Sequence, residues 1–256
     1  MLANTTGSAL TKAGENSWVF LTADYAFGQA LEKDTAAAVE RNGGKVVGRI
    51  RHPLNTEDFS SWLLQAQNSG AKVVGLANSG GDTTSAIRQA ADFGLSTGGQ
   101  KIAALLLRVG DVDRLGLVVS QGLTVTETFY WDLNDQTRAF SDRFAKRMAT
   151  GVKPSMTHAG VYAGTIHYLK AVEALGDASD GARVVAKMKE IPTDDALFGK
   201  GSIRADGRKI HPAFIFEVKK PSESSGRWDY YKLVTTVPAD QAFRPFGESE
   251  CPLLKN

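Results

Sequence analysis

The chain has 256 residues, 42% of them apolar and 23% charged, with 30 basic against 28 acidic side chains. A near-neutral balance with no long basic run excludes a surface built for nucleic acid. No stretch approaches the roughly 20 apolar residues of a membrane-spanning helix, and Met1 is followed by neither the basic start nor the apolar run of a signal peptide, so the chain as written would stay in the cytoplasm.

The order of elements starts abruptly, with Met1 inside a helix-like stretch, as if an earlier part of the fold were missing. Residues 18–22 form a short apolar strand. Residues 28–41 carry a loose helical stripe at Ala30, Leu31, Ala37, Ala38 and Val39, stopped by Gly43 and Gly44, and 45–50 is the next strand. A clearer helix starts at Thr56-Glu57-Asp58, with Phe59, Trp62, Leu63 and Ala66 on one face. The strand 72–77 is apolar throughout and reads as buried on both faces. Asn78-Ser79-Gly80-Gly81 is its loop, and Asp82-Thr83-Thr84 caps a helix that turns Ile87, Ala90, Ala91 and Phe93 inward. Strands follow at 101–107 and 122–129. Strand starts recur about every 27–29 residues, the length of a βα unit. Right-handed crossovers then require an α/β fold with a parallel sheet and helices on both faces.

After Trp131 the pattern changes. Helices are predicted at 133–150, with Phe140, Phe144 and Met148 inward, at 158–175, with Val161, Tyr162, Ile166, Leu169, Val172 and Leu175, and at 181–191, stopped by Pro192. Few strands remain for these three helices to cover. Residues 212–219 and 228–236 alternate as strands and form a hairpin across a turn-rich 221–226.

Catalytic signals are weak: no Gly-x-Ser-x-Gly elbow, P-loop or Gly-x-Gly-x-x-Gly occurs. Asn78 to Asp82 between strand and helix can hold an anion on backbone N–H groups, or is a tight turn or a contact to a small ligand. Asp24, Asp82 and Asp111 each follow a strand end, as helix caps or as carboxylates for acid–base work. His158, His167 and His211 lie far apart, so with one cysteine they make no metal pattern, and neither a metal nor a cofactor is expected. Aromatic residues are more telling. Tyr25 and Phe27 lie at the first strand end, and Phe129, Tyr130 and Trp131 where strands hand over to helices; the latter either wall a ligand crevice or pack a hinge. Arg108 after the fourth strand either faces that crevice, where it would pair with a ligand carboxylate, or faces solvent. Cys251 is either an unpaired terminal thiol or has a partner in the missing part.

Several of these stretches occur in a family order. Asp24-Tyr-Ala-Phe-Gly28 after a strand resembles the Asp-x-x-Tyr-Gly loop of type I periplasmic solute-binding proteins of ABC transporters. Asp58-Phe-Ser-Ser, residues 63–67, Ser69-Gly70-Ala71 and Val73-Val74 are similar to that family's next helix and strand. Tyr168-Leu-Lys-Ala-Val172 looks like the end of its long later helix, and Trp228-Asp-Tyr-Tyr-Lys232 with residues 247–253 fits the branch that holds the branched-chain amino-acid, amide and aromatic-acid receptors. The resemblance implies two α/β lobes joined by three hinge strands, with parallel doubly wound sheets and lobe 1 incomplete at its N-terminal side. On this division residues 1–16 are a helix of lobe 1, 17–124 are lobe 2, 125–210 are hinge and lobe 1 helices, and 211–256 are the hinge return, hairpin and tail.

The function it implies is an extracytoplasmic, periplasmic solute-binding component of an ABC importer, without enzymatic activity, working with an inner-membrane permease. Its ligand site would include Asp24, Tyr25, Phe27, Asn78, Ser79, Gly80, Arg108, Tyr130 and Trp131. Amino-acid receptors of the family hold a carboxylate near position 108 for the ligand ammonium; its absence here favours an aromatic carboxylate over an α-amino acid. A disulfide from Cys251 to an upstream lobe 1 cysteine is also implied. The alternatives are a ligand-sensing domain of a receptor or regulator with the same fold, and an α/β enzyme using Asp24, Asp82 or Asp111.

Overall fold

Apolar runs bounded by glycine and polar turns become strands, and striped segments between them become helices. In order these are α1 (Leu2–Lys12), β1 (Ser17–Ala23), α2 (Ala26–Arg41), β2 (Lys45–His52), α3 (Ser60–Asn68), β3 (Val73–Ala77), α4 (Gly81–Asp92), β4 (Lys101–Ala104), α5 (Val109–Leu115), α6 (Leu117–Ser120) and β5 (Thr124–Glu127). Then come α7 (Asp135–Arg147), α8 (Met156–Leu175), α9 (Gly181–Glu190), β6 (Thr193–Asp195), β7 (Gly199–Ile203), β8 (Lys209–Ile210), β9 (Ala213–Val218) and β10 (Tyr231–Val237). This computed structural model describes all residues except 96, 97, 149, 250, 255 and 256 and the side chain of 253, so the 247–253 stretch lies partly outside the described residues.

The chain divides into two units. Unit 1 holds 1–127 and 214–236, and unit 2 holds 128–213 and 237–256, so the chain passes between them three times. In unit 1 seven strands run in the order β10-β9-β5-β4-β3-β1-β2. Strands β1 to β5 are parallel, as their spacing predicts, but β9 is antiparallel to β5, so the sheet is mixed. The run 72–77 becomes β3, buried at every position of Val73–Ala77. Strand pairing puts Trp18, Phe20, Val73 and Ala77 on one face, where Ala3 and Leu10 of α1 and Leu31, Ala36 and Val39 of α2 complete a buried cluster. Expected with the other lobe, α1 therefore sits in unit 1; its stripe of small residues lets it lie close on α2, with Ala38 and Thr35 against Gly7.

Other boundaries differ for identifiable reasons. Helix α3 starts at Ser60 rather than at 56–58, because the Asp58 carboxylate accepts the Ser60 N–H (2.9 Å) and shapes the entry turn. In α4, Ile87 and Ala90 point inward, but Ala91 and Phe93 are exposed and Leu95 takes the buried position instead. Met148 falls beyond the end of α7 and is exposed.

Unit 2 packs Phe129, Phe140, Ala159 and Leu197 into a cluster joined by Trp131, Phe144, Met156 and Phe198. Asn134 caps α7 by accepting the Thr137 N–H (3.0 Å), and Asp180 caps α9. Helices α8 and α9 are tied by a 2.8 Å hydrogen bond between His167 Nε2 and the Met188 carbonyl. Strands β6–β7–β8 form a small antiparallel sheet that the sequence pattern does not announce, since its strands have three, five and two residues.

The C-terminal tail is anchored to this region by Arg204 and Asp206. Arg204 donates to both Asp206 oxygens (2.9 and 2.6 Å) and to the Arg244 carbonyl (3.1 Å), and its guanidinium lies 5.4 Å from the Phe246 ring centre. The Arg204 guanidinium holds the Asp206 carboxyl down at about 2, below its ordinary 3.8. A carboxyl depressed in the folded state contributes stability above its unfolded pKa and loses it as pH falls through the folded one. Asp206→Asn is therefore expected to lower unit 2 stability at neutral pH by about 1 kcal/mol after solvent screening. In thermal melts the gap between the two proteins should close between about pH 4 and pH 2. A gap that stays constant over that window would remove Asp206 from the account.

Candidate functional site

The topology itself marks a position. Strand β1 lies between β2 and β3, so the crossover from β2 passes over β1 and the order then runs outward through β4 and β5. Where strand order reverses, the loops leaving two neighbouring strands diverge and open a cleft at their carboxyl ends. Here those loops are 24–25 after β1, running into the first turn of α2, and 78–80 after β3, running into α4.

The two loops are locked together by close packing at Gly28. A Cβ built there would lie 2.2 Å from the Ala23 carbonyl oxygen and 3.0 Å from that of Ala77, the last residues of β1 and β3. Only glycine lets α2 begin directly over both strand ends. The turn before it is set by Asp24 N–H to the His52 carbonyl and Tyr25 N–H to that of Ala23, both 2.8 Å. A buried Glu32 on α2 holds the assembly, accepting from Thr22 Oγ1 (2.5 Å) and pairing with Arg49 (3.2 Å) and Arg51 (3.1 Å) of β2.

On this base Tyr25 and Phe27 stand as a tilted pair, ring centres 5.8 Å apart, with Phe27 exposed. Asp24 is exposed and its carboxylate accepts from Gln29 Nε2 (2.9 Å). At the end of β3, Ser79 and Gly80 are half-buried, and Gly80 takes φ 62°, ψ −128°. Neither α2 nor α4 has a side-chain hydrogen bond at its N-cap, so their first N–H groups are presented at this end of the sheet.

Asn78, expected among the ligand contacts, lies inside the protein. It is fully buried, with Nδ2 3.2 Å from His52 Nε2 and Oδ1 accepting from Thr83 Oγ1 (2.7 Å). His52 Nδ1 is 2.8 Å from the Pro53 carbonyl, and the ring packs edge-on to Phe59 and Trp62. Sequence reasoning passed over His52; its position at the end of a strand and before a proline was the available signal. Asp82 is not the cap of α4, whose N-cap is Gly80. Its buried carboxylate accepts from the backbone of Asn55 (3.3 Å) and Thr56 (3.0 Å), holding the loop after β2.

At the end of β4, Arg108 is the N-cap of α5 and half-buried. Its Nε lies 3.2 Å from Asp111 Oδ2, which also accepts the Arg108 N–H (2.9 Å), while Arg114 pairs with the other oxygen. The Asp111 carboxylate is thus buried and neutralised by two guanidinium groups. Tyr130 and Trp131 belong to unit 2: Tyr130 is buried, and Trp131 packs on the aromatic cluster with Lys153 Nζ 4.5 Å from its ring centre.

The chain matches a family model described as periplasmic binding protein over residues 1–226. It is 30% identical over 229 residues to the Leu/Ile/Val-binding protein homolog 6 of Brucella melitensis, covering 87% of this chain and 57% of the relative. Among solved structures, a periplasmic binding protein from Burkholderia mallei superposes with a TM-score of 0.92 at 50% identity, covering 98% of this chain and 66% of that one. A branched-chain amino-acid ABC transporter periplasmic ligand-binding protein from Burkholderia xenovorans gives 0.88 at 36% identity, over 98% and 67%. The chain therefore spans just over half the length of its curated relative and about two thirds of those two structures. On its sequence and its fold, the chain belongs to the periplasmic binding protein family.

Proposed function

We propose that this protein is the solute-binding component of an ABC importer, acting in the periplasm and passing a small organic acid to a membrane permease, with no bond chemistry of its own. The observation that carries this reading is the strand-order reversal at β1/β3, where half-buried Tyr25 with exposed Phe27, the Ser79-Gly80 loop and two helix N-termini without side-chain caps lie at one end of the sheet. Such a face suits a flat anion: rings stack on Tyr25 and Phe27, and backbone N–H groups receive a carboxylate. Asp24 and Arg108 form its polar rim. Asp111, three residues after Arg108, is already committed to Arg108 and Arg114, so at the position where amino-acid receptors hold a carboxylate an ammonium group finds none free. This favours an aromatic carboxylate over an α-amino acid. The same commitments leave Asp82 and Asp111 poorly placed for acid–base work.

The test is a thermal-shift and calorimetric screen of the chain, extended to the full length of its relatives, against benzoate-type acids, amides and branched-chain amino acids. An aromatic acid at 100 times its Kd should stabilise the protein by about 2.7 kcal/mol. Phe27→Ala should weaken binding roughly tenfold. A response to leucine alone would move the assignment to amino acids, and silence toward all three classes would refute it.

A further inference from the structure

One histidine holds both loops of the ligand site. His52 ends β2, paired with Ala23 at the end of β1, and its carbonyl accepts the Asp24 N–H (2.8 Å), which fixes the loop after β1. Its strand is two places from β3 in the sheet, yet its ring meets the loop after β3, with Nε2 3.2 Å from Asn78 Nδ2. The hydrogen-bond directions follow from the partners. Nδ1 lies 2.8 Å from the Pro53 carbonyl, which can only accept, so Nδ1 carries a proton. Thr83 Oγ1, in the first turn of α4, donates to Asn78 Oδ1 (2.7 Å), which turns Nδ2 toward His52. Nε2 must then offer its lone pair to the Asn78 amide. His52 and Asn78 are 1% and 0% exposed, so bulk water cannot stand in for a lost partner. Asp82 adds a second tie between α4 and the loop after β2, through the Asn55 and Thr56 N–H groups. Asn78, Asp82 and Thr83 are all residue types that cap helices, and all three are engaged elsewhere, which leaves α4 without a side-chain cap.

We propose that His52 is a positioning residue of the ligand site: as its Nδ1–H tautomer it clamps the Ser79-Gly80 loop, through Asn78, in register with Asp24 and Tyr25. Its ring is buried against Phe59 and Trp62 and acts on a ligand only through that loop. Without the Nε2 acceptor the Asn78 amide is buried and unpaired, a state relieved when Asn78 swings out toward water and carries Ser79 and Gly80 with it. The backbone N–H groups at the start of α4 then lose the fixed arrangement that receives a carboxylate. The effect on affinity rests on the ligand reading above; the tautomer and the order of the loop do not.

All variants are made in the chain extended to the length of its relatives. Nitrogen-15 spectra of the imidazole rings should show His52 protonated at Nδ1 and bare at Nε2. Asn78→Asp should draw a proton onto Nε2 in the same spectra, because a carboxylate offers only acceptors. His52→Phe keeps an aromatic ring against Phe59 and Trp62 but has no acceptor; exchange of the Ser79, Gly80 and Gly81 amides should quicken, and benzoate affinity should fall, each by about tenfold or more. His52→Gln, whose side-chain carbonyl can accept the Asn78 amide, should bring both back to within about threefold of the parent. Leu63→Ala, which opens a cavity in the buried face of α3, should lower the melting temperature by several degrees and leave affinity within about twofold, which separates positioning from general stability. A proton on Nε2 in the parent, loop amides that exchange equally fast in His52→Phe and the parent, or equal losses in His52→Phe and His52→Gln would overturn the proposal. Should the parent bind no benzoate, that failure belongs to the ligand reading, and the ring tautomer and amide exchange decide the role of His52. Should His52→Phe fail to fold, Asn78→Ala, which removes the amide instead of its acceptor, takes its place with the same expected changes.

Discussion

Gly28→Ala is expected to lower the stability of unit 1 by about 3 kcal/mol, a cost of overpacking against groups that cannot yield. The new methyl would sit 2.2 Å from the Ala23 carbonyl oxygen, whereas ordinary contact begins near 3.4 Å. Both obstructing oxygens, those of Ala23 and Ala77, are backbone atoms at the ends of two buried, mutually paired strands. Relief therefore requires α2 to lift off the strand ends. That movement carries Tyr25 and Phe27 with it and stretches the buried bond from Glu32 to Thr22. Two readouts should respond together: the melting temperature falls by several degrees, and affinity for an aromatic acid falls further than stability alone explains. Gly110→Ala is the matched control. Its Cβ would meet nothing within 4 Å, so in the first turn of α5 it should be neutral or stabilising by up to about 0.5 kcal/mol. Equal melting temperatures for Gly28→Ala and the parent would mean that α2 does not depend on this close approach.

The second large effect concerns α8, which is apolar around most of its circumference. Ala159, Ala163, His167 and Ala171, spaced four apart, form its buried row. Val161, Tyr162, Tyr168 and Leu169 are exposed elsewhere on the helix, Val161 at 68%. A helix apolar all round is one that packs on more than one side. The chain as given is thus expected to bind a hydrophobic dye strongly and to lose solubility on concentration. Val161→Lys with Leu169→Glu should cut dye fluorescence by about half or more while leaving the melting temperature unchanged. Ala163→Leu, on the buried row, should cost about 1–3 kcal/mol through overpacking. Extending the chain to the length of its relatives should abolish dye binding if the added residues cover this face. Weak dye binding by the parent, or a large loss of stability in the double variant, would contradict the account.

Much of unit 1 was legible because its signals are local. A strand buried on both faces reads as an unbroken apolar run, as Val73–Ala77 does, and an amphipathic helix shows its stripe, as Phe59, Trp62, Leu63 and Ala66 do. The parallel βα series and the resemblance of residues 24–28 to a ligand loop followed from that order. The inward faces of α4 and α8 were less legible. Phe93 and Leu169 have the chemistry of core residues, yet which side of a helix is covered depends on elements elsewhere in the chain. The small sheet β6–β8 escaped notice because strands of two to five half-exposed residues carry no period. Asp82 looked like a helix cap because carboxylates at strand ends commonly are. Its actual partners, the Asn55 and Thr56 amides, lie 27 and 26 residues away and become neighbours only when α4 docks beside the loop after β2.

The sequence by itself determined an α/β chain built from a parallel βα series, because burial period and turn chemistry are written residue by residue, and the order of its motifs carried the resemblance to periplasmic binding proteins. Tertiary structure alone decided that β1 stands between β2 and β3, that Asn78 turns inward to His52 while Tyr25 and Phe27 stay at the surface, and that α1 belongs to unit 1. Each of those outcomes rests on which surfaces meet. A hydrophobic stripe states that a face must be covered, and only packing against distant parts of the chain selects what covers it.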